Sequence, residues 1–351
     1  MADPAYTLIG IVQQLSLARS LPEIQSIVRR GARALTGADG ATFVLRDGDK
    51  CFYADEDAIE PLWKGQRFPL NHCISGWAML NRRSVAIEDI YADERIPHQA
   101  YRPTFVKSLA MVPIRTLDPV GAIGNYWAAH RQPSEGEMEL LQALADSTAV
   151  AIENVRVYEQ LESAREETLR CLARAAEHRD DATHQHTERV ARLAGQLAEE
   201  LGMDADEVEL IRLASPLHDI GKLSVADSLL LKPGALTPVE WDHMKAHAEA
   251  GAAILAGTSS DVLRLAREIA LAHHEWWDGT GYPDGLAGEE IPLSARIVAL
   301  ADVYDALTNP RPYKHAWHPA DARAEIERLR GRQFDPAVVD AFFQLAPERR
   351  H

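Results

Sequence analysis

Apolar residues recur at helical spacing over the first 35 positions: Leu8, Ile11, Val12 and Leu15, then Ile24, Ile27, Val28 and Ala32. Gly37 to Gly40 end that pattern, and residues 41–46 follow as a strand-like run. Residues 84–87, 108–114 and 121–128 read as further strands, separated by turns containing Pro and Asp. At Ser134, a fitting helix N-cap with Glu137 three residues on, the pattern turns helical again. No Pro or Gly interrupts residues 137–181. Leu144, Thr148, Ala151, Val155, Tyr158, Glu162, Arg165, Leu169, Leu172 and Ala176 keep the alternating 4,3 spacing of a heptad seam, which the polar Thr148, Glu162 and Arg165 weaken. Two readings stay open: a long helix packed on its own two domains, or a parallel dimeric connector. Either would pass a rotation or register shift from one domain to the other.

From residue 188 onward the signals are almost all helical: 190–201, 206–217, 238–255, 262–274, 293–307 and 319–329. The chain has 351 residues, which suggests two domains, the first mixed α and β and the second all helix. Its 46% hydrophobic and 26% charged residues fit a folded globular protein. With 37 Lys plus Arg against 53 Asp plus Glu, the net charge is −16. That sign argues against duplex nucleic acid, which is gripped by neutralising phosphates, and against an anionic membrane surface. Cys51, Cys73 and Cys171 are scattered, without metal-type spacing, as in a reducing compartment. The start MADPAYTLIG lacks a secretory signal, and no apolar run approaches the roughly 20 residues needed to span a bilayer. The expectation is a cytoplasmic protein.

Histidine divides the chain chemically. Only His72, His98 and His130 precede residue 171, and the other 11 of 14 follow it. His186, the pair His218-Asp219, His247, the pair His273-His274 and Asp302 all stand on predicted helices or at their ends. Imidazole nitrogen with carboxylate oxygen, and no thiolate, suits Fe, Mn, Co, Ni or Zn better than Ca or Mg. A carboxylate can bridge two cations. Two metals about 3.5–4 Å apart generate hydroxide at neutral pH and clamp both oxygens of a phosphoryl displacement. A single histidine on a helix is more often a surface or core residue, and His178, His184, His243, His315, His318 and His351 are read that way. Long sequence gaps prevent spacing alone from deciding the matter for the other seven.

The surrounding motifs are more specific. Leu217-His218-Asp219-Ile220-Gly221-Lys222 resembles the HD signature of metal-dependent phosphohydrolases. The stretch from His273 to Lys314, with Gly281-Tyr282-Pro283, is similar to the HD-GYP subfamily nearly residue for residue. Thr183, His186, Arg189 and Val190 match its T-x-x-H-x-x-R-V, and Met244-Lys245-Ala246-His247 its M-K-x-H. The resemblance covers about residues 166–346 and implies an all-helical bundle that hydrolyses cyclic di-GMP. It implies that His186, His218, Asp219 and Asp302 hold one metal, and that His247, His273 and His274 hold a second, with Asp219 bridging. Fe or Mn is expected first, with Ni, Co or Zn as alternatives. Lys222, Arg311 and Lys314 match basic residues near the phosphates, where Arg forks onto two oxygens and Lys acts as a point charge. Asp219 and Lys222 are the catalytic candidates. Tyr282, in a loop with Gly279, Gly281, Gly285 and Gly288, either meets substrate or braces a lid. Some relatives carry a Glu four residues before the first ligand histidine for a third metal. This chain has Ala182, so a binuclear site is expected and complete conversion of pGpG to GMP is in doubt.

Residues 1–160 resemble a GAF domain, on Ile74-Ser75-Gly76-Trp77-Ala78, residues 85–90 and residues 108–114. Its ligand is unread. Cys73 beside His72 invites a thioether or metal role, but a small buried thiol is the plainer reading. Trp77, Phe105 and Trp127 either line a pocket or pack the core. The expected architecture is therefore an α/β GAF sensor at 1–160, a connecting helix at 134–181 and a helical HD-GYP domain at 166–351, forming a homodimer through the GAF domain and that helix. The expected function is metal-dependent hydrolysis of cyclic di-GMP to pGpG. The alternatives are a catalytically silent receptor acting on a signalling protein partner, or a phosphodiesterase for another cyclic dinucleotide.

Overall fold

The computed structural model describes residues 3–177, 185–310 and 315–345. It divides into two compact units, Met1–Glu162 and Ser163–His351.

In the first unit, the apolar spacing of the opening segment resolves into α1 (Pro4–Leu17) and α2 (Leu21–Thr36), separated where Ser20 caps the second helix and Pro22 follows. Then come β1 (Gly40–Asp47), β2 (Lys50–Ala58), β3 (Arg67–Pro69), α3 (Ile74–Asn81), β4 (Val85–Ile87), α4 (His98–Tyr101), β5 (Ser108–Ile114) and β6 (Gly121–Trp127). The strands form one sheet in the order β3-β2-β1-β6-β5-β4, with every neighbour antiparallel. Alternate residues face opposite layers. Phe43, Ala110, Val112 and Ile123 pack with α1, α2 and the start of α5 (Glu135–Glu177), whereas Val44, Leu109, Met111 and Tyr126 pack with α3 and the loops. Sequence reading missed β2 because Asp55, Glu56 and Asp57 disguise its alternation. Asp55 is nonetheless buried, held by Arg29 at 2.6 Å and Lys64 at 2.7 Å.

Two open readings narrow here. Trp127 lies in the layer with α2, and Trp77 and Phe105 border the opposite one, so the three do not line a common pocket. Leu144, Ala151 and Val155 of the heptad seam are buried in this unit's own core, as is Thr148. A partner helix cannot take positions that the domain's own sheet and helices already cover.

The second unit holds α6 (His186–Glu200), α7 (Ala205–Ala214), α8 (Asp227–Leu230), α9 (Pro238–Lys245), α10 (His247–Ile254), α11 (Asp261–Ala272), α12 (Leu293–Thr308), α13 (Pro319–Arg328) and α14 (Pro336–Gln344). Leu169, Ala173 and Ala176 of α5 join its core with Val190, Leu197, Ile269, Ile297, Val298 and Phe342. Among the described residues this unit has no strand beyond two isolated bridges. The apolar pattern of 238–255 predicts one helix, but the chain breaks it at Ala246, so that His247 begins a new one. No helix of the described residues is long and apolar enough to cross a membrane.

Candidate metal centre

The seven ligand candidates stand mostly at helix ends, and the fold turns those ends toward one another. His218 follows the 3-10 turn Ser215–Leu217, and Asp219 precedes the next, Ile220–Ser224. Gly221 permits the close fit of that second turn. A Cβ there would lie 1.8 Å from the carbonyl oxygen of His247 and 2.5 Å from the amide nitrogen of Gly251. Only glycine lets the turn press against the first turn of α10, which brings Asp219 beside His247. His186 opens α6, His273 and His274 follow α11, and Asp302 lies on α12.

These side chains form two adjoining groups. Asp219, His247, His273 and His274 offer ligand atoms within 4.8 Å of one another, and so do His186, His218 and Asp302. Asp219 touches both. Its Oδ1 stands 3.4 Å from His247 Nε2 and 3.7 Å from His273 Nε2, while Oδ2 stands 3.4 Å from His218 Nε2. Asp302 Oδ1 lies 3.4 Å from His186 Nε2 and 4.0 Å from His218 Nε2.

The far side of each ring is tied down. His218 Nδ1 donates to the Ser215 carbonyl at 2.8 Å, His247 Nδ1 to Met244 at 2.7 Å, and His273 Nδ1 to Ile269 and Ala270 at 3.1 Å each. A carbonyl oxygen can only accept, so each of these rings keeps a proton on Nδ1 and turns Nε2 inward. Nε2 of His218 and of His273 is buried without a hydrogen-bond partner. His186 is backed instead by Asp305, with Nδ1 2.7 Å from Oδ2, and Asp305 is held in turn by Arg189 Nη2 and Asn309 Nδ2, each at 2.9 Å. A carbonyl or carboxylate behind an imidazole fixes the tautomer that binds metal. Buried, unpartnered imidazole nitrogens converging on two carboxylates therefore fit divalent cations.

Electrostatics agrees with that fit. Burial disfavours a charged His218, but Asp219 and Asp302 outweigh it and lift the imidazole to about 9. The carboxylates thus draw positive charge to this spot, and a divalent cation would answer them more strongly than a proton. Burial also opposes ionisation of Asp219, yet Lys222, whose Nζ is 2.7 Å from Oδ2, and His218 hold its carboxyl well below the usual range. Lys222 is thus engaged with Asp219. His247 and His274 are pushed down, first by burial and then by neighbouring imidazoles, which keeps them in the neutral, ligand-competent form.

Tyr282 borders the second group. Its ring stacks on His274, with centroids 4.7 Å apart and 29° between the planes, and burial raises its phenol above the ordinary value. Gly281 makes this approach possible: a Cβ there would lie 2.3 Å from the Trp276 amide nitrogen and 2.6 Å from the His274 carbonyl oxygen. Glu275 anchors the loop by accepting from the amides of Asp284 at 2.7 Å and Gly285 at 3.1 Å. Trp241 meets Tyr282 edge-on at 6.4 Å, and Lys245 Nζ lies 5.9 Å over its ring. Sequence reading gave no role to Asp305, Glu275, Trp241 or Lys245. Asp305 had a signal, three residues past Asp302 on the same helical face. Arg311, Lys314 and Ala182 lie outside the described residues.

Comparison with known proteins agrees with the division of the chain. Residues 18–153 match the family model of the GAF domain, and residues 170–338 that of the HD domain. The chain is 50% identical over 185 residues to the "cyclic di-GMP phosphodiesterase response regulator RpfG" of Xanthomonas campestris pv. campestris, covering 53% of this chain and 49% of that one. It is 50% identical over 182 residues to a "cyclic di-GMP phosphodiesterase" of Thermotoga maritima, covering 52% and 50%. A "3'3'-cGAMP-specific phosphodiesterase 2" of Vibrio cholerae is 39% identical over 219 residues, covering 62% and 42%. The chain thus spans about half the length of these relatives or less. Fold, site geometry and matched segments together show that this chain carries a GAF domain at residues 18–153 followed by an HD domain at residues 170–338.

Proposed function

We propose that this chain is a metal-dependent phosphodiesterase that opens cyclic di-GMP to linear pGpG under the control of its GAF domain. The observation that carries the reading is the placement of Asp219 between three inward-facing imidazole nitrogens, two of them buried without a partner. Asp219 and Asp302 with His186 and His218 would hold one metal, and Asp219 with His247, His273 and His274 the other. Bound there, the pair would supply a hydroxide at neutral pH and Lewis-acid neutralisation of the phosphate oxygens.

The protein's own groups would do the rest. Lys222 Nζ lies 2.7 Å from Asp219 Oδ2, and from that position its ammonium can turn to a phosphate oxygen as a point charge. Asp305 fixes the His186 ring. Glu275 and Gly281 hold Tyr282 against His274, where the phenol ring forms a wall of the site. Arg311 and Lys314 are proposed as phosphate contacts on the motif they match. Relatives named for cyclic di-GMP support the substrate. The Vibrio cholerae relative named for 3'3'-cGAMP aligns over more of this chain and makes that dinucleotide the second substrate to assay.

Product chromatography with Mn²⁺ or Fe²⁺ tests the reading directly. Formation of pGpG from cyclic di-GMP, lost on chelation, is expected. Binding without turnover under metal-replete conditions would make the chain a receptor and overturn the proposal. Turnover of 3'3'-cGAMP alone would keep the chemistry and replace the substrate.

A further inference from the structure

The short helix α9 buries none of its residues, yet it carries a tryptophan. Its start is fixed by a capping box between Thr237 and Glu240, and Lys232 Nζ donates to the two Glu240 oxygens at 2.8 and 2.6 Å. Trp241 follows directly and is 47% exposed. A single exposed apolar ring is ordinary on a protein surface, but the neighbours of this one are not. Trp241 meets Tyr282 edge-on, with 6.4 Å between ring centroids and 77° between the planes. Tyr282 stacks on His274 at 4.7 Å and lies 6.5 Å from the ring of His247. The open indole is therefore one aromatic ring removed from two of the metal-ligand candidates.

We propose that Trp241 is the platform on which one purine base of the substrate stacks, an inference that rests on the cyclic-dinucleotide phosphodiesterase reading above. When a phosphate of such a dinucleotide sits at the metal ligands, its bases must find surface close by. The Tyr282 ring is already engaged: His274 stacks on it, and the Lys245 ammonium, 2.8 Å from Asp242 Oδ1, lies 5.9 Å over it. Trp241 keeps nearly half of its surface open and lies next to that ring. Every base offers a π-face, so an indole accepts guanine and adenine alike. Trp241 thus supplies affinity for the dinucleotide and does not choose between cyclic di-GMP and 3'3'-cGAMP.

A stacked base stays in place while the phosphorus reacts, so the contact is equally strong in the ground and transition states. Such uniform binding lowers KM and leaves kcat alone. A tryptophan that only braced the Tyr282 loop would instead act on every diester the metal centre can open, with or without a base. Truncating Trp241 removes no buried side chain from α9, so the variants are expected to stay folded.

Steady-state kinetics of the full chain with Mn²⁺ test this, on cyclic di-GMP and on methyl p-nitrophenyl phosphate, a diester without a base. Trp241→Ala should raise KM for cyclic di-GMP about 5–100-fold, the range of one base–aromatic stack. Its kcat, its metal content and its turnover of the base-free diester should stay as in wild type. Trp241→Phe, which keeps a π-face, should recover most of the loss, and Trp241→Leu, which keeps only apolar bulk, should not. An unchanged KM, an equal loss on both substrates or full recovery by leucine would overturn the proposal. If wild type binds cyclic di-GMP without turning it over, the phosphodiesterase reading alone fails; a Kd raised in Trp241→Ala, read by calorimetry, would then support the platform and an unchanged Kd would overturn it. Wild-type protein that neither binds nor hydrolyses a cyclic dinucleotide would overturn both.

Discussion

Nε2 of His247 and Nε2 of His274 face each other at 3.2 Å inside the helical unit. Because His247 donates from Nδ1 to Met244, its Nε2 is a bare acceptor. A proton on His274 Nε2 can close the contact as a hydrogen bond; a cation can serve both rings at once and also reach Asp219 Oδ1. The second arrangement answers more of the buried charge.

Metal should therefore stabilise the fold. Adding Mn²⁺ to chelator-stripped protein is expected to raise the unfolding temperature of the helical unit, because a ligand that binds only the native state shifts the equilibrium toward it. At a hundredfold excess over Kd one site contributes about 2.7 kcal/mol, which is several degrees for a domain of this size. Calorimetry with and without the metal reads the shift, and coincident transitions would contradict the site.

Asp219→Ala removes the one side chain common to both groups. Hydrolysis should disappear and metal content should fall by at least one ion per chain, with helical circular dichroism preserved. Metal analysis beside product chromatography reads both. Retained turnover would remove Asp219 from the chemistry.

Asp305→Asn is expected to act through His186 and not on substrate. The amide keeps the size of the carboxylate but loses its charge against Arg189 and the His186 ring. Removing such a partner lowers metal affinity by about 10–100-fold, so activity should recover at raised metal concentration. A defect that excess metal leaves untouched would exclude this positioning role.

What the sequence disclosed and what it hid follow from the range of the interactions. His218-Asp219, His273-His274 and Gly281-Tyr282-Pro283 are local strings, legible because each motif is contiguous. The heptad seam stayed open to two readings because a 4,3 apolar spacing records that a helix face is apolar and does not say what covers it. Leu144 and Val155 are covered by this unit's own sheet and helices. The break at Ala246 was hidden for a similar reason, since the turn carrying Gly221 packs there from 25 residues away in sequence. Asp55 disguised β2 because its ion pairs with Arg29 and Lys64 are tertiary.

Glu137 should give the start of α5 a defined pH dependence. Burial opposes its ionisation, but the Ser134 amide at 2.8 Å and the Arg131 guanidinium outweigh it and hold the carboxyl below its ordinary value of 4.5. A carboxyl depressed in the folded state contributes stability that is complete above its unfolded value and is lost as pH falls through the folded one. The stability difference between wild type and Glu137→Gln should thus be constant near neutrality and shrink below about pH 4.5. Denaturant titrations across that range read it, and a difference that grows on acidification would reverse the assignment.

Gly221 and Gly195 offer a paired test of how the fold builds the site. Both are buried in the same unit, yet a Cβ on Gly195 would meet nothing closer than 4.0 Å, whereas one on Gly221 would meet the His247 carbonyl oxygen at 1.8 Å. Gly195→Ala, within α6, should be neutral or stabilising by about 0.4–1 kcal/mol, because alanine narrows the unfolded ensemble without strain. Gly221→Ala must instead push the turn off α10, at a cost of about 1–3 kcal/mol or more. The displaced turn carries Asp219 away from His247, so metal binding should weaken even where the protein remains folded. Chemical denaturation gives the first quantity and metal titration the second. If Gly221→Ala bound metal as wild type does, the contact between this turn and α10 would not be what sets Asp219 in place.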